Sequence, residues 1–209
     1  MKAMKLASAA AVCVALWGGV AQAATVFADT VISFRNSGRG AGDLGTTPHG
    51  GGGGYRENAV VPFSHVLDGL GNTYISLATD STIVLGFSTG TIFDGPGNDL
   101  TIGQTTGSER AYVWVSSDWG QSFTWIGTAV GQTSFNLWSI GYKQAVNAVK
   151  VKGLDTTGSS PGFDLSFVGA PETSFKEAPP PVSPVPLPAT LPMLLAGFGL
   201  VGLVRRRRR

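Results

Sequence analysis

Between residues 24 and 178 the chain alternates short apolar runs with Gly, Asn, Asp and Pro, and the runs are rich in Val, Ile, Thr and aromatic residues. Segments of this kind, too short for helices and closed by turn formers, predict strands. The pattern places strands at 26–34, 74–77, 81–87, 111–115, 122–127, 145–151 and 163–168. Asp118, Trp119, Gly120 and Gln121 form a turn between the fourth and fifth of these, which predicts a hairpin. The regular spacing points to an all-β, antiparallel β-sandwich. A helix fits only near residues 58–67, where Pro62 limits its length. Residues 38–54 include a run of five glycines at 50–54, with no side chains to bury, and read as a mobile surface loop.

The two ends follow another pattern. Lys2 and Lys5 precede an apolar run at residues 6–20, and Ala21-Gln22-Ala23 has the small-x-small form of a signal peptidase site. Residues 1–23 therefore read as a secretory signal cleaved between Ala23 and Ala24. A proline-rich spacer covers residues 179–189, an apolar segment residues 190–204, and five arginines residues 205–209. As a helix, the apolar segment would span about 22 Å, short of the ~30 Å hydrocarbon core. Flanking Leu187 and snorkelling arginines can make up part of the gap. The arginines favour a cytoplasmic C-terminus, which leaves the domain outside.

Charge changes meaning once the ends are set apart. The whole chain carries +2, but two leader lysines and five terminal arginines leave eight of its 15 basic residues for the middle. All 13 acids lie there, so the domain carries −5. Such a domain lacks the basic footprint of a nucleic-acid binder. Cys13, the only cysteine, lies inside the leader, so disulfides cannot hold the domain. Val12 before it is a poor fit to a lipoprotein signal.

Val185, Pro186, Leu187, Pro188 and Ala189, then a short apolar segment, then terminal arginines, resemble the PEP-CTERM class of sorting signals in its VPLPA form. The resemblance implies a Gram-negative exported protein processed by an exosortase-type enzyme. It also implies association with exopolysaccharide or biofilm matrix. The protein would sit first in the inner membrane by its C-terminal transmembrane helix, then at the cell surface or outside the cell.

Several apparent sites dissolve on inspection. Gly86-Phe87-Ser88-Thr89-Gly90 has the G-x-S-x-G form, but the residues after it cannot start a helix, and His49 and His65 both precede Ser88. Two scattered histidines are too few for zinc and read as solvent-facing. The glycine run lacks a following Gly-Lys-Ser/Thr and does not cradle phosphate.

The segment from Asp94 through Asn98 and Asp99 to Leu100 gathers side-chain oxygens suited to calcium. A turn in which Asp and Asn bond their own backbone is the alternative reading. Asp94-Gly95-Pro96-Gly97-Asn98-Asp99-Leu100, Val115-Ser116-Ser117-Asp118-Trp119-Gly120 and Phe163-Asp164-Leu165 together resemble a β-sandwich domain often attached to PEP-CTERM tails. This resemblance implies a jelly-roll-like sandwich with calcium on Asp94, Asn98, Asp99 and Asp164. The chain departs from it at Thr101-Ile102-Gly103-Gln104, where an acid is usual, and at Ser166, where a second Asp is usual.

Ser116, Asp118, Gly120 and Ser122 also fit an Asp-box hairpin, a structural motif when single. Tyr112 and Trp114 share one strand face, which suggests core packing for the pair. Trp119, at a turn tip, either supports the hairpin or stacks on sugar.

Three functions fit: a non-catalytic surface or matrix protein sorted by its tail, a carbohydrate-binding module of the exopolysaccharide matrix, or a secreted hydrolase. No acid pair or triad emerges, so the expectation is that the chain is not an enzyme.

Overall fold

The computed structural model describes residues 24–37, 44–45, 47–105, 107–154 and 162–179. The chain divides into two units, Met1–Glu177 and Ala178–Arg209. The leader, the sorting residues 185–189, the apolar segment 190–204 and the arginine tail lie outside the described residues. No helix among the described residues is long and apolar enough to cross a membrane.

The strands are β1 (Thr25–Phe27), β2 (Thr30–Ser37), β3 (Leu44–Gly45), β4 (His49–Gly52), β5 (Tyr55–Val60), β6 (Thr73–Leu77), β7 (Thr82–Gly86) and β8 (Gly90–Ile92). They continue with β9 (Leu100–Gln104), β10 (Arg110–Ser116), β11 (Thr124–Val130), β12 (Thr133–Phe135), β13 (Ala148–Gly153), β14 (Phe163–Pro171) and β15 (Phe175–Glu177). One sheet runs β12-β9-β14-β6-β4-β5, with β1 also on β14; a second runs β11-β10-β13-β7-β2-β3; β15 pairs with β8. Both large sheets contribute inward residues to a single core: Ile75, Leu77, Ile102 and Leu165 from the first, Leu85, Val113, Val115 and Val151 from the second. This is an all-β sandwich, as the alternation implied.

The predicted first strand is broken at Ala28 and Asp29, where the chain leaves β14 for β7. Pro62 is followed by a single 3-10 turn, Phe63–Val66, in place of a longer helix.

The glycine run departs most from expectation. Gly50 and Gly51 are buried in β4, between β5 and β6. A Cβ on Gly50 would lie 2.0 Å from the Tyr74 carbonyl oxygen, and one on Gly52 2.0 Å from that of Asn72. The absent side chains let β4 lie tight against β6, so Gly50, Gly51 and Gly52 build a sheet where a loop was expected, while Gly53 and Gly54 make the exposed turn into β5.

Candidate functional site

The β10–β11 turn is held by its own polar residues. The Ser116 hydroxyl donates to Asp118 Oδ1 (2.7 Å) and accepts the N–H of Gly120 (2.8 Å). Asp118 Oδ1 also accepts the Ser122 N–H (2.9 Å), and Oδ2 accepts its hydroxyl (2.6 Å). These bonds, that from Ser116 foremost, lower the Asp118 pKa from the usual 3.8 to about 2. Trp119 takes a left-handed backbone (φ 58°), fixed by its N–H on Asn147 Oδ1 (2.9 Å). The residue is 45% exposed, and its ring lies against the sheet at Gly86, where a Cβ would meet its Cζ3 at 3.1 Å.

Behind this turn, Tyr112 and Trp114 point away from the core, and Ala111, Val113 and Val115 fill the inner side of β10. Core packing of the aromatic pair, the reading their shared face suggested, is thus corrected. The inward positions hold small and branched residues, all fully buried.

Register then builds a row across the outer face: Trp125 opposite Trp114, Trp114 opposite Lys150, Lys150 opposite Val84. Trp125 is 57% exposed, and Tyr112 meets Trp114 edge to face at 5.9 Å. Lys150 Nζ lies 4.5 Å from the Trp114 ring centre and 4.0 Å from that of Phe123. Burial, then the charge of Lys152, pushes the Lys150 pKa down. Lys152 itself pairs with Asp80 at 2.7 Å. Lys150 escaped sequence reasoning; the row exists only through pairing across four strands.

The Asp94–Leu100 segment is organised by hydrogen bonds. Fully buried Asp99 takes the Gly95 N–H and the Ser174 hydroxyl on Oδ1 (both 2.8 Å) and the Leu137 N–H on Oδ2 (2.8 Å). Asp94 Oδ1 accepts the N–H of Trp138 (3.1 Å), and Asn98 is exposed. Asp164 is not brought to this group. It accepts the Ser76 hydroxyl (2.6 Å), and its carbonyl takes the N–H of Thr105, beyond the far end of β9. That is roughly 20 Å along the strand from Asp99. Donors aimed at both Asp99 oxygens are what a cation would have to displace, so the residues do not fit calcium as a set. Among the described residues no group of three or more His, Cys, Asp or Glu could hold a metal ion.

Ser88 donates its N–H and hydroxyl to Asp29 (2.8 and 2.9 Å) and faces no histidine among these partners. His49 and His65 are buried, not solvent-facing. His49 meets Asn36 in β2, and His65 packs edge to face on Tyr55 at 4.9 Å. Nothing beside His49 gave a hint of its burial, because β4 was not legible as a strand.

No curated protein matches the chain. Among solved structures, CBM32 of AlyQ in complex with 4,5-unsaturated mannuronic acid is 15% identical, with TM-score 0.40, over 70% of this chain and 99% of that one. A chain of reduced XRCC1 bound to the DNA pol beta catalytic domain is 16% identical, with TM-score 0.45, over 75% of this chain and 100% of that one. Truncated AlyQ with CBM32 and alginate lyase domains is 14% identical, with TM-score 0.39, over 81% of this chain and 38% of that one. Residues 184–209 match the PEP-CTERM protein-sorting motif. That motif implies export, association with the cell envelope and processing by an exosortase-type system. The chain carries a PEP-CTERM sorting signal at residues 184–209, behind an all-β sandwich domain.

Proposed function

We propose that the chain is a non-catalytic surface or extracellular-matrix protein, a jelly-roll-like sandwich delivered by its tail. The sorting motif at residues 184–209 carries this reading. The partner of Ser88 supports it: Asp29 bonds that residue's N–H and hydroxyl, an arrangement suited to a turn and not to a nucleophile. On this reading the signal is removed after Ala23, residues 190–204 hold the chain in the inner membrane, and residues 185–189 are recognised by the exosortase.

The test is fractionation of three proteins: the full chain, a chain ending at Ala178, and the double variant Pro186→Ala, Pro188→Ala. The shortened chain should appear soluble in the periplasm or medium. The double variant should stay in the membrane without C-terminal processing. A shortened chain that remains membrane-bound would defeat the reading.

A second reading, a carbohydrate-binding module of the exopolysaccharide matrix, draws support from the outward aromatic row of β10 and β11. Aromatic rings presented on a rigid sheet suit stacking on sugar rings. Screening the full chain in detergent on a glycan array tests it, and binding to no glycan would remove it.

A further inference from the structure

The outer face of the second sheet is unlike the rest of an acidic domain. Outward positions on an antiparallel sheet with one buried face are ordinarily polar. Here Trp125, Trp114 and Tyr112 occupy them, with Trp119 above at the turn. The Trp125–Trp114–Lys150 row crosses three adjacent strands and so spans about 10 Å. The basic residues of this sheet's strands also gather on this side: Arg35 on β2, Arg110 on β10, and Lys150 and Lys152 on β13. The region between leader and tail carries −5, so a face with four basic residues departs from its surroundings.

Lys150 has the most particular position. Its ammonium rests on two ring faces, Trp114 and Phe123. Its neighbour Lys152 has a carboxylate in Asp80, and Lys150 has none among the described residues. Rings hold a cation by their quadrupole but leave its hydrogen-bond donors unused. A guest offering both a flat C–H face to the rings and a carboxylate to the ammonium would satisfy every group in the row. A sugar acid has that chemistry.

We infer that the outer face of the second sheet binds a polysaccharide of uronic acids, with exposed Trp125 stacking on a sugar ring and Lys150, held on Trp114 and Phe123, taking a carboxylate. This rests on the carbohydrate-binding reading and names its site and its ligand class. Nucleic acid also combines flat rings with negative charge. Oligo-dT is therefore the competing arm of the test.

The experiment titrates the full chain in detergent micelles with three hexamers: hexagalacturonate, neutral cellohexaose and oligo-dT. Tryptophan fluorescence and calorimetry report binding. Hexagalacturonate should bind best, and more weakly as salt rises. Trp125→Ala should weaken it about tenfold, and Trp125→Phe much less. Lys150→Gln should weaken hexagalacturonate about tenfold, leave cellohexaose unchanged, and be matched by retention in Lys150→Arg. Melting temperatures of all variants identify any that fail to fold. If such a failure occurs, carbamylated lysine blocking on the folded wild type, mapped to Lys150 and protected by hexagalacturonate, takes its place.

Equal affinity for both sugars, with Lys150→Gln silent, would overturn the uronic-acid assignment and leave a neutral glycan reading standing. Tighter binding of oligo-dT would overturn the assignment. So would self-association abolished by Trp125→Ala with no sugar bound, and that result would remove the carbohydrate-binding reading too. None of these outcomes bears on tail-directed sorting, which fractionation tests separately.

Discussion

Asp118 shows how a few small side chains decide a local structure. Its carboxylate accepts bonds from Ser116 and Ser122, and these favour the charged form. A carboxyl whose pKa falls from 3.8 to about 2 on folding stabilises the fold above 3.8, and that contribution fades as pH drops through about 2. Wild type should therefore lose melting temperature between pH 4 and 2 faster than Asp118→Asn, whose side chain does not titrate. Parallel curves for the two proteins would show the turn to be indifferent to this charge. At Asp99 the expectation concerns donors left behind. Asp99→Ala strands the Leu137 N–H and the Ser174 hydroxyl in a buried setting, at about 1–3 kcal/mol each. Calcium and chelator should give equal melting temperatures for wild type, because those donors already occupy the carboxylate. A rise in calcium that Asp99→Ala removes would restore the cation. From sequence the two accounts of this loop were indistinguishable. Both ask for Asp, Asn and Gly in close order, and only the positions of Leu137 and Ser174, 38 and 75 residues away, separate them.

At the scale of strands, legibility followed side chains. Runs such as 81–87, 111–115 and 163–168 contain β7, most of β10 and much of β14, because branched and aromatic residues announce a pleated, half-buried surface. β4 announced nothing, since its glycines carry no pattern. The strand is specified by what its neighbours leave no room for. Gly50→Ala and Gly54→Ala separate this requirement from ordinary glycine preference. A Cβ on Gly54 meets nothing within 4 Å and suffers only from its left-handed backbone (φ 93°), a cost of about 1–2 kcal/mol. A Cβ on Gly50 meets backbone at 2.0 Å, so β4 must part from β6. Chemical denaturation should show a markedly larger loss for Gly50→Ala, up to failure to fold. Equal losses would mean the sheet can yield there. β8, β12 and β15 are three residues each, too short for alternation to rise above chance. Tyr112 and Trp114 were legible as a pair on one face, but alternation does not say which face is wet. That is decided by whichever set fits the gap between sheets.

For the whole molecule, the destination was legible and the cargo was not. A sorting tail works by order of composition along the chain, which sequence displays directly, and residues 184–209 match the motif. The outward row of Trp125, Trp114 and Lys150 is assembled by register among β11, β10, β13 and β7, which no linear pattern displays. The beginning of the domain carries a further expectation. Thr25 pairs with Pro171, and the Ala24 carbonyl accepts the Glu172 N–H at 2.8 Å. N-terminal sequencing of exported protein should return Ala24 as its first residue. A start at Met1 would contradict export through a cleaved signal.

The buried Asp99 contact has a mechanical consequence. Any tension carried by the tail enters the sandwich through β15, which holds to β8 by three residue pairs, Phe175–Ile92, Lys176–Thr91 and Glu177–Gly90. Immediately behind those pairs, Ser174 grips Asp99, and its carbonyl takes the N–H of Phe93. A short strand is a weak fastening, yet the next link in the load path is a carboxylate shielded from water, where competing solvent cannot help the bond let go. Strain from the surface would therefore peel three residues and then stall, sparing the large sheets. If the domain is held by its tail and bound on its face, as proposed, that stall point would set the force at which the fastening gives way.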